Sequence, residues 1–361
     1  MSHRNVLLIA LVLALVFVHS AAACDLCAIY SSLESHKPAP QRLQLTLAEQ
    51  YTNFDEIRVE GKKIENEHDQ YVRSSITQVM GTYDFNERYG AKLILPYIDR
   101  QYKKFEDNTT EKGSESGIGD VILLASYFPY RYAEKDTYFS AQLLFGLKLP
   151  TGDTALLKPE EHDEHHEDMP AADETDHEDE VEHDHHMMEH QKIQTLHGDE
   201  DHGDEGHAEE QMAHAVHGHD LSLGSGSVDV PLVLNLFYEV HRTFVRASIN
   251  YSLRTEGDYD YRYADDLLWD FGPGHYFYMG EDQQIAARLN ISGEHKGKDK
   301  RDGVVDPATS VDSIFWGPEI ILVSNSNLFA NFEIDFPIDY DSSGTQIAPS
   351  YRVRGGLTYR F

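Results

Sequence analysis

The last twelve residues, Ser350–Phe361, alternate so strictly that little except a β-strand accommodates them. Tyr351, Val353, Gly355, Leu357, Tyr359 and Phe361 fall on one face of an extended chain. Arg352, Arg354, Gly356, Thr358 and Arg360 fall on the other. The first face suits an apolar medium, and the second demands water or ionic partners. A half-buried strand of a soluble sheet alternates in the same way, so the choice between them rests on what precedes it.

The pattern recurs along the chain. Strands are predicted over Gln41–Phe54, Tyr71–Phe85, Tyr89–Phe105, Thr137–Thr151, Val228–Tyr238, Val245–Arg254, Ile285–Glu294, Asp312–Val323 and Leu328–Tyr340. Gly117–Tyr130 is apolar on both sides and hard to phase. Leu267–Met279 is broken by Gly272-Pro273-Gly274, where a bulge is expected. With the terminal strand the count is about twelve, and bacterial outer-membrane barrels have even numbers. The connections alternate in length. Asn86–Arg88, Arg131–Asp136, Glu239–Thr243, Gly280–Asp282 and Asn325–Ser326 are short. Between them lie long polar stretches: Asp55–Gln70, Glu106–Ser116, residues 154–222, Glu256–Asp266, Gly297–Val311 and Asp341–Pro349. A soluble sandwich gives no reason for such alternation. No segment beyond residue 23 has about 18 continuous apolar residues, so no transmembrane helix is predicted.

The reading is therefore all-β: a transmembrane antiparallel β-barrel of about 12 strands over residues 41–361, in contact with outer-membrane lipid. Short turns and both termini are expected in the periplasm, and long loops outside. The terminal strand ending on Phe361 is expected to engage the barrel assembly machinery. Arg246, Arg254, Arg288, Glu294, Glu333, Asp335, Arg352 and Arg354 are assigned to the lumen, because a mid-bilayer Arg costs about 2–4 kcal/mol. They serve either as a salt-bridged filling or as the lining of a substrate path. Pro96, Pro231, Pro318 and Pro337 fall inside predicted strands, which requires bulges or strand ends there.

Residues 1–23 read as a signal peptide: Arg4, an apolar run Val6–Val18, then Ala21-Ala22-Ala23. Residues 24–40 form a periplasmic segment holding Cys24 and Cys27. Three readings of that pair stay open: a local disulfide, a thiolate metal site, and lipidation of Cys24. Ala28 stands where a haem-attachment motif needs His.

The formal net charge of -33 is concentrated between residues 154 and 222. That tract has no Phe, Tyr or Trp, and its only basic residues besides His are Lys158 and Lys192. It is predicted to be one long disordered extracellular loop. Its histidines are His162, His165, His166, His177, His183, His185, His186, His190, His197, His202, His207, His214, His217 and His219. Imidazole among carboxylates suits zinc, copper or nickel ions. His162/His166 and His186/His190 would share a helix face, whereas His217-x-His219 suits an extended segment. The spacing matches no fixed-geometry motif, and an anionic brush that merely hydrates the surface is the competing reading. His275 is assigned to the lumen or an interface rather than to metal. No Ser/His pair suggests catalysis, and nothing points to a nucleic-acid partner.

Three stretches carry a resemblance: Ser116-Gly117-Ile118-Gly119-Asp120-Val121, Phe145–Asp153 and Leu223–Asp229, with Gly355–Phe361 adding to it. They resemble the outer-membrane transporter family named after the meta-pathway of phenol degradation. That resemblance implies a barrel passing small molecules and supplies no catalytic residues. The long His-rich insertion departs from the family's usual short connection. The expected function is an outer-membrane channel or transporter whose loop binds divalent transition-metal ions. Two alternatives stay open: a passive facilitator for small organic molecules with a merely solvated loop, and a non-transporting surface protein that buffers metal.

Overall fold

The computed structural model describes residues 42–106, 109–159, 215–325 and 327–361. The alternation becomes twelve long antiparallel strands. In order these are β1 (Leu43–Val59), β2 (Tyr71–Asp84), β3 (Tyr89–Glu106), β4 (Thr109–Ile118 continued as Val121–Glu134), β5 (Thr137–Leu149) and β6 (Val230–Val240). They continue as β7 (Thr243–Leu253), β8 (Asp266–Met279), β9 (Gln283–Lys296), β10 (Val311–Ser324), β11 (Leu328–Ser342) and β12 (Thr345–Arg360). Each pairs with its sequence neighbour, and β12 pairs back onto β1 from Gln44↔Arg360 to Val59↔Thr345. The sheet closes on itself and keeps no free edge. Among the described residues no helix is long and apolar enough to cross a membrane.

The side-chain period then sorts the two faces. On β12, Arg352, Arg354, Thr358 and Arg360 are buried inside, while Leu357 and Tyr359 are exposed outside. Leu47, Leu95, Leu147, Leu289, Ile320 and Leu357 belong to an apolar outer band. Aromatic residues ring it at the short-turn rim, with Tyr83 against Phe85, Tyr89 against Tyr127, and Tyr359 against Phe361. Such girdles mark the level where a bilayer's apolar core gives way to headgroups. Glu49 is a departure from the apolar face, and the hydroxyls of Ser75 and Thr77 donate to its carboxylate.

This face is testable. Leu289 is 46% exposed and lies between inward Arg288 and Asn290. Leu289→Arg should cost about 2–4 kcal/mol near a bilayer midplane. Urea unfolding in lipid vesicles reads the loss, and a change within 0.5 kcal/mol or so would mean that this face meets water.

Two expected loops are strand instead. Within Glu106–Ser116 the residues from Thr109 onward are strand, and Asp341–Pro349 shrinks to the tight connection 343–344. Thr109–Ile118 is largely exposed and polar on both sides. A strand projecting beyond the apolar belt meets water on both faces, so it carries no hydrophobic period to read. Elsewhere the short connections (85–88, 135–136, 241–242, 280–282) close one rim. The described parts of the longer ones (60–70, 150–159, 215–229, 254–265, 297–310) crowd the other.

The strand prolines sit where the ladder is already interrupted. Pro96 faces the break between the two halves of β4: β3 pairs with Val121–Glu134 up to Ile94 and with Thr109–Ile118 from Tyr97. Pro231 lies past the last pairing between β5 and β6, Phe145↔Leu232. Pro337 adjoins a register shift between β10 and β11. Pro318 sits in the unpaired gap between Trp316↔Phe336 and Glu319↔Glu333. The expected bulge at Gly272–Gly274 is absent, and β8 keeps one register there. The shift comes later, between Tyr276 and Tyr278.

Candidate functional site

The lumen is filled in three layers. Toward the short-turn rim it is apolar: Met80, Ile94, Leu144, Val233, Phe237 and Phe244 form one buried cluster with Tyr138 and Tyr276. Ring centroids lie 6.0 Å apart for Tyr138–Phe237, 5.7 Å for Phe237–Phe244 and 5.2 Å for Phe244–Tyr276. The eight residues assigned to the lumen are all charged, and this apolar layer was not among them. Inward positions of a barrel this narrow can be packed by side chains, and packing favours apolar groups.

The middle layer is ionic and is carried by β7–β12. Glu319 receives Arg288 at 3.1 Å, Asn331 at 2.8 Å and Arg246 at 3.7 Å. Arg288 also holds Asp270 and Asn290, and Asn290 donates to Glu333 at 2.6 Å. Arg354 bridges Glu333 (3.0 Å) and Asp335 (2.5 Å). Arg352 adds Asp335 (3.1 Å), Ser292 (3.2 Å) and Glu294 (3.8 Å). The structure places seven of the eight residues assigned to the lumen in this network; Arg254 lies in the layer above. All eight point inward and are buried. Buried charges persist only when paired and hydrogen-bonded, and here they pair with one another across the wall. Glu319 is fully buried. The apolar run Ile320-Ile321-Leu322 beside it has no alternation, and that hid its phase.

The third layer joins the three stretches of the family resemblance. Asp120 sits in the break of β4. Its carboxylate accepts Gly152 N–H (3.0 Å), Ser225 N–H (2.9 Å) and Ser225 O–H (2.8 Å). Lys148 Nζ lies 3.0 Å from Asp120, 2.8 Å from Asp229 and 2.9 Å from Ser225 Oγ. Arg254 NH1 reaches Asp229 at 2.9 Å, and its Nε donates to Asp266 at 2.8 Å. Thr151 Oγ1 donates to Gly119 C=O at 2.8 Å and accepts Val121 N–H at 2.9 Å, so it stitches the break. Two backbones touch here: a Cβ on Gly152 would lie 2.4 Å from Leu223 O, and one on Gly224 would lie 2.7 Å from Gly152 O. Only glycine permits that approach. Asp120, Lys148 and Asp229 were quoted as motif residues without a role. Their spacing in sequence gives no hint that they meet.

Above this knot, both ends of the His-rich tract fold into the barrel mouth. Ala155–Leu157 forms a 3-10 turn, and Gly218–Leu221 a helical turn that we call α1. Leu157 and Ala215 are fully buried. Val216 and Leu221 pack against Phe54, Val72, Tyr102 and Ile347. Backbone carbonyls of the plug are held by the wall: Ala215 by Ile347 N–H (3.0 Å), Leu157 by Arg301 (2.8 Å), His219 by Tyr263 O–H (3.0 Å), and Ser222 by Arg100. Tyr261 O–H donates to Asp299 at 2.6 Å; burial, reinforced by the Asp299 carboxylate, pushes its phenol far above the ordinary value. The tract was expected to be a loop throughout, but Leu157 at one end and Ala215, Val216, Leu221 and Ser222 at the other are buried in the barrel mouth.

Of the candidate metal ligands, His162, His165, His166, His177, His183, His185, His186, His190, His197, His202, His207 and His214 lie outside the described residues, as do Cys24 and Cys27. His217 and His219 are described. Their rings stack at 5.3 Å; His217 keeps the expected extended backbone as the residue capping α1, whereas His219 lies within that helical turn. His217 Nε2 meets Thr345 O at 3.1 Å, and His219 Nε2 lies 3.4 Å from Asp220. Burial lowers the His219 pKa against the pull of Asp220. Among the described residues no three His, Cys, Asp or Glu side chains gather as a metal cluster would. His275 is exposed on the outer face and shares a hydrogen bond with Thr243 Oγ1 (3.2 Å).

No family profile matches this chain, and no curated protein does. Solved structures do. An outer membrane channel from Pseudomonas putida F1 superposes with a TM-score of 0.57 at 13% identity, over 92% of this chain and 100% of that one. The Pseudomonas putida toluene transporter TodX gives 0.34 at 11% identity, over 90% of each chain. A Pseudomonas aeruginosa FadL homologue gives 0.33 at 10% identity, over 89% of this chain and 91% of that one. The last two scores are too low to argue from. The first, with the closed ladder and the apolar outer band, establishes the fold: a closed twelve-stranded antiparallel β-barrel.

Proposed function

We infer that this protein is an outer-membrane channel or transporter, with its short-turn rim and termini in the periplasm. Its His-rich tract collects divalent transition-metal ions at the outer mouth. The observation that carries this reading is the anchoring of the tract at both ends inside the lumen. Whatever the tract binds is thereby tethered to the barrel mouth from both ends. A brush that served only for hydration would need no such attachment, and histidine adds nothing to an anionic brush at neutral pH. Zinc, copper and nickel suit imidazole among carboxylates. The passage of small molecules implied by the family resemblance rests on the three converging stretches, which hold the wall together and, among the described residues, line no substrate pocket.

The test is calorimetric titration of the full-length barrel in detergent with zinc, copper and nickel at pH 7.4 and pH 5.5. Multi-site binding is expected at the higher pH. At the lower pH, protons occupy the imidazoles and the apparent affinity should fall at least tenfold, because the ligand must be the neutral ring. Heat that is absent at both values would remove the metal from the reading and leave the channel.

A further inference from the structure

On the outer wall at the long-loop rim lies a cavity of about 360 Å³ that belongs to neither the lumen nor the tract. Tyr251, Arg262, Asp265, His295, Lys298 and Lys300 line it with neighbouring backbone. Tyr251 and His295 flank Leu267 in one row across β7, β8 and β9. Tyr251, in the outward set of β7, is exposed. The row below holds Ile249, Trp269 and Gly293, and the next holds Ala247, Phe271 and Ile291. The cavity therefore opens where the apolar band ends and the polar rim begins.

Its charge is unusual for a chain of net charge -33. Arg262 and Lys300 stand directly opposite each other in a small sheet formed by Tyr261–Arg262, Lys300–Arg301 and Val304–Val305. Like charges placed opposite across strands destabilise the pair unless an anion lies between them. Asp265 is the acid among the lining residues, and it is already engaged: by Arg262 at 3.4 Å, Tyr251 O–H at 3.2 Å and Arg254 N–H at 2.9 Å. Lys298 and Lys300 have no ion pair among the described residues. The backbone thus holds three cations around a cavity that supplies one carboxylate.

We propose that this cavity seats the phosphorylated headgroup of a lipid in the surrounding leaflet, with its acyl chains descending over Trp269 and Ile291. Arg262 and Lys300 contact the phosphate from two sides, and Lys298 closes over it. Tyr251 and His295 meet the sugar or glycerol portion at the interface. Basic pockets at this depth recognise anionic headgroups by that chemistry. The proposal rests on the membrane reading above, and its test is chosen to fail separately from that reading.

Native mass spectrometry of the full-length protein in detergent is the measurement. The probes are diphosphorylated lipid A, a lipid A lacking both phosphates, and inorganic phosphate. The wild type should retain the diphosphorylated lipid at least tenfold more strongly than its phosphate-free counterpart. Lys298→Gln/Lys300→Gln should abolish that preference, and Arg262→Gln should weaken it. Lys62→Gln/Lys63→Gln removes equal charge from the same rim and should leave the preference intact. Heat-modifiable migration on gels confirms that each variant is folded, and insertion into planar bilayers is scored in the same preparations. Equal retention of both lipids, or an unchanged Lys298/Lys300 variant, overturns the site. Retention of inorganic phosphate as tight as that of the lipid also overturns it, in favour of a free-anion site. A barrel that inserts normally yet shows no preference sinks this proposal alone, whereas one that does not insert sinks the membrane reading.

Discussion

Lys148→Met should destabilise the folded barrel by about 3–5 kcal/mol, the range for removing one member of a buried ionic group. Lys148 is the cation beside Asp120 (3.0 Å) and one of two beside Asp229 (2.8 Å). Both carboxylates are buried, at 7% and 1% exposure. Arg254 still holds Asp229 after the substitution, but it is shared with Asp266. Asp120 keeps only neutral donors, from Gly152 and Ser225. Urea unfolding in vesicles measures the loss. Lys148→Met/Asp120→Asn should recover part of it, because the stranded charge leaves with its partner. A structural knot and a mere salt bridge then differ in a second readout. Asp120 also holds Ser225 at the base of the plug, so Lys148→Met should raise single-channel conductance. A stable, equally conducting variant would show that the three stretches meet without holding anything.

What the sequence revealed, and what it hid, follows from the same physics. A closed barrel imposes a period of two on every segment that crosses the apolar belt, so β5, β7, β9 and β12 were readable from alternation alone. Segments outside that belt lose the constraint. Thr109–Ser116 was read as loop for this reason, and β12 was started five residues late, at Ser350 rather than Thr345. Local disorder is also a composition argument, and composition averages over the tract. It could not show that Leu157, Ala215, Val216 and Leu221 leave their charged neighbours and pack indoors. The lumen arginines were legible because each alternates with an outward aliphatic residue. The knot of Asp120, Lys148, Asp229 and Arg254 was not, because its members come from four successive strands, at the break in β4 and the ends of β5 to β7, and only the lateral register of the sheet brings them together.

Excising residues 154–222 and joining Asp153 to Leu223 through two glycines should yield a barrel that folds, conducts more and no longer binds transition metals. The splice is geometrically modest. Asp153 C=O already accepts Leu223 N–H at 3.1 Å and Gly224 N–H at 3.0 Å, so the two ends meet in the native fold. Among the described residues none of the barrel ladder runs through the excised stretch. The loss in stability is the burial of Leu157, Val216 and Leu221, about 1.5–3 kcal/mol for each side chain. Water entering the mouth can satisfy Ile347 N–H and Arg301, which lose their carbonyl partners. Planar-bilayer recordings should show a severalfold higher conductance than wild type, and calorimetry with zinc or copper should show no saturable heat. The two readouts separate the plug from the tract. Unchanged conductance with lost metal binding would mean that the apolar layer of Phe237 and Phe244 sets the resistance and that the plug is ornamental to flow. Retained metal binding would move the ligands out of the His-rich tract altogether, to the Cys24/Cys27 segment or the barrel itself.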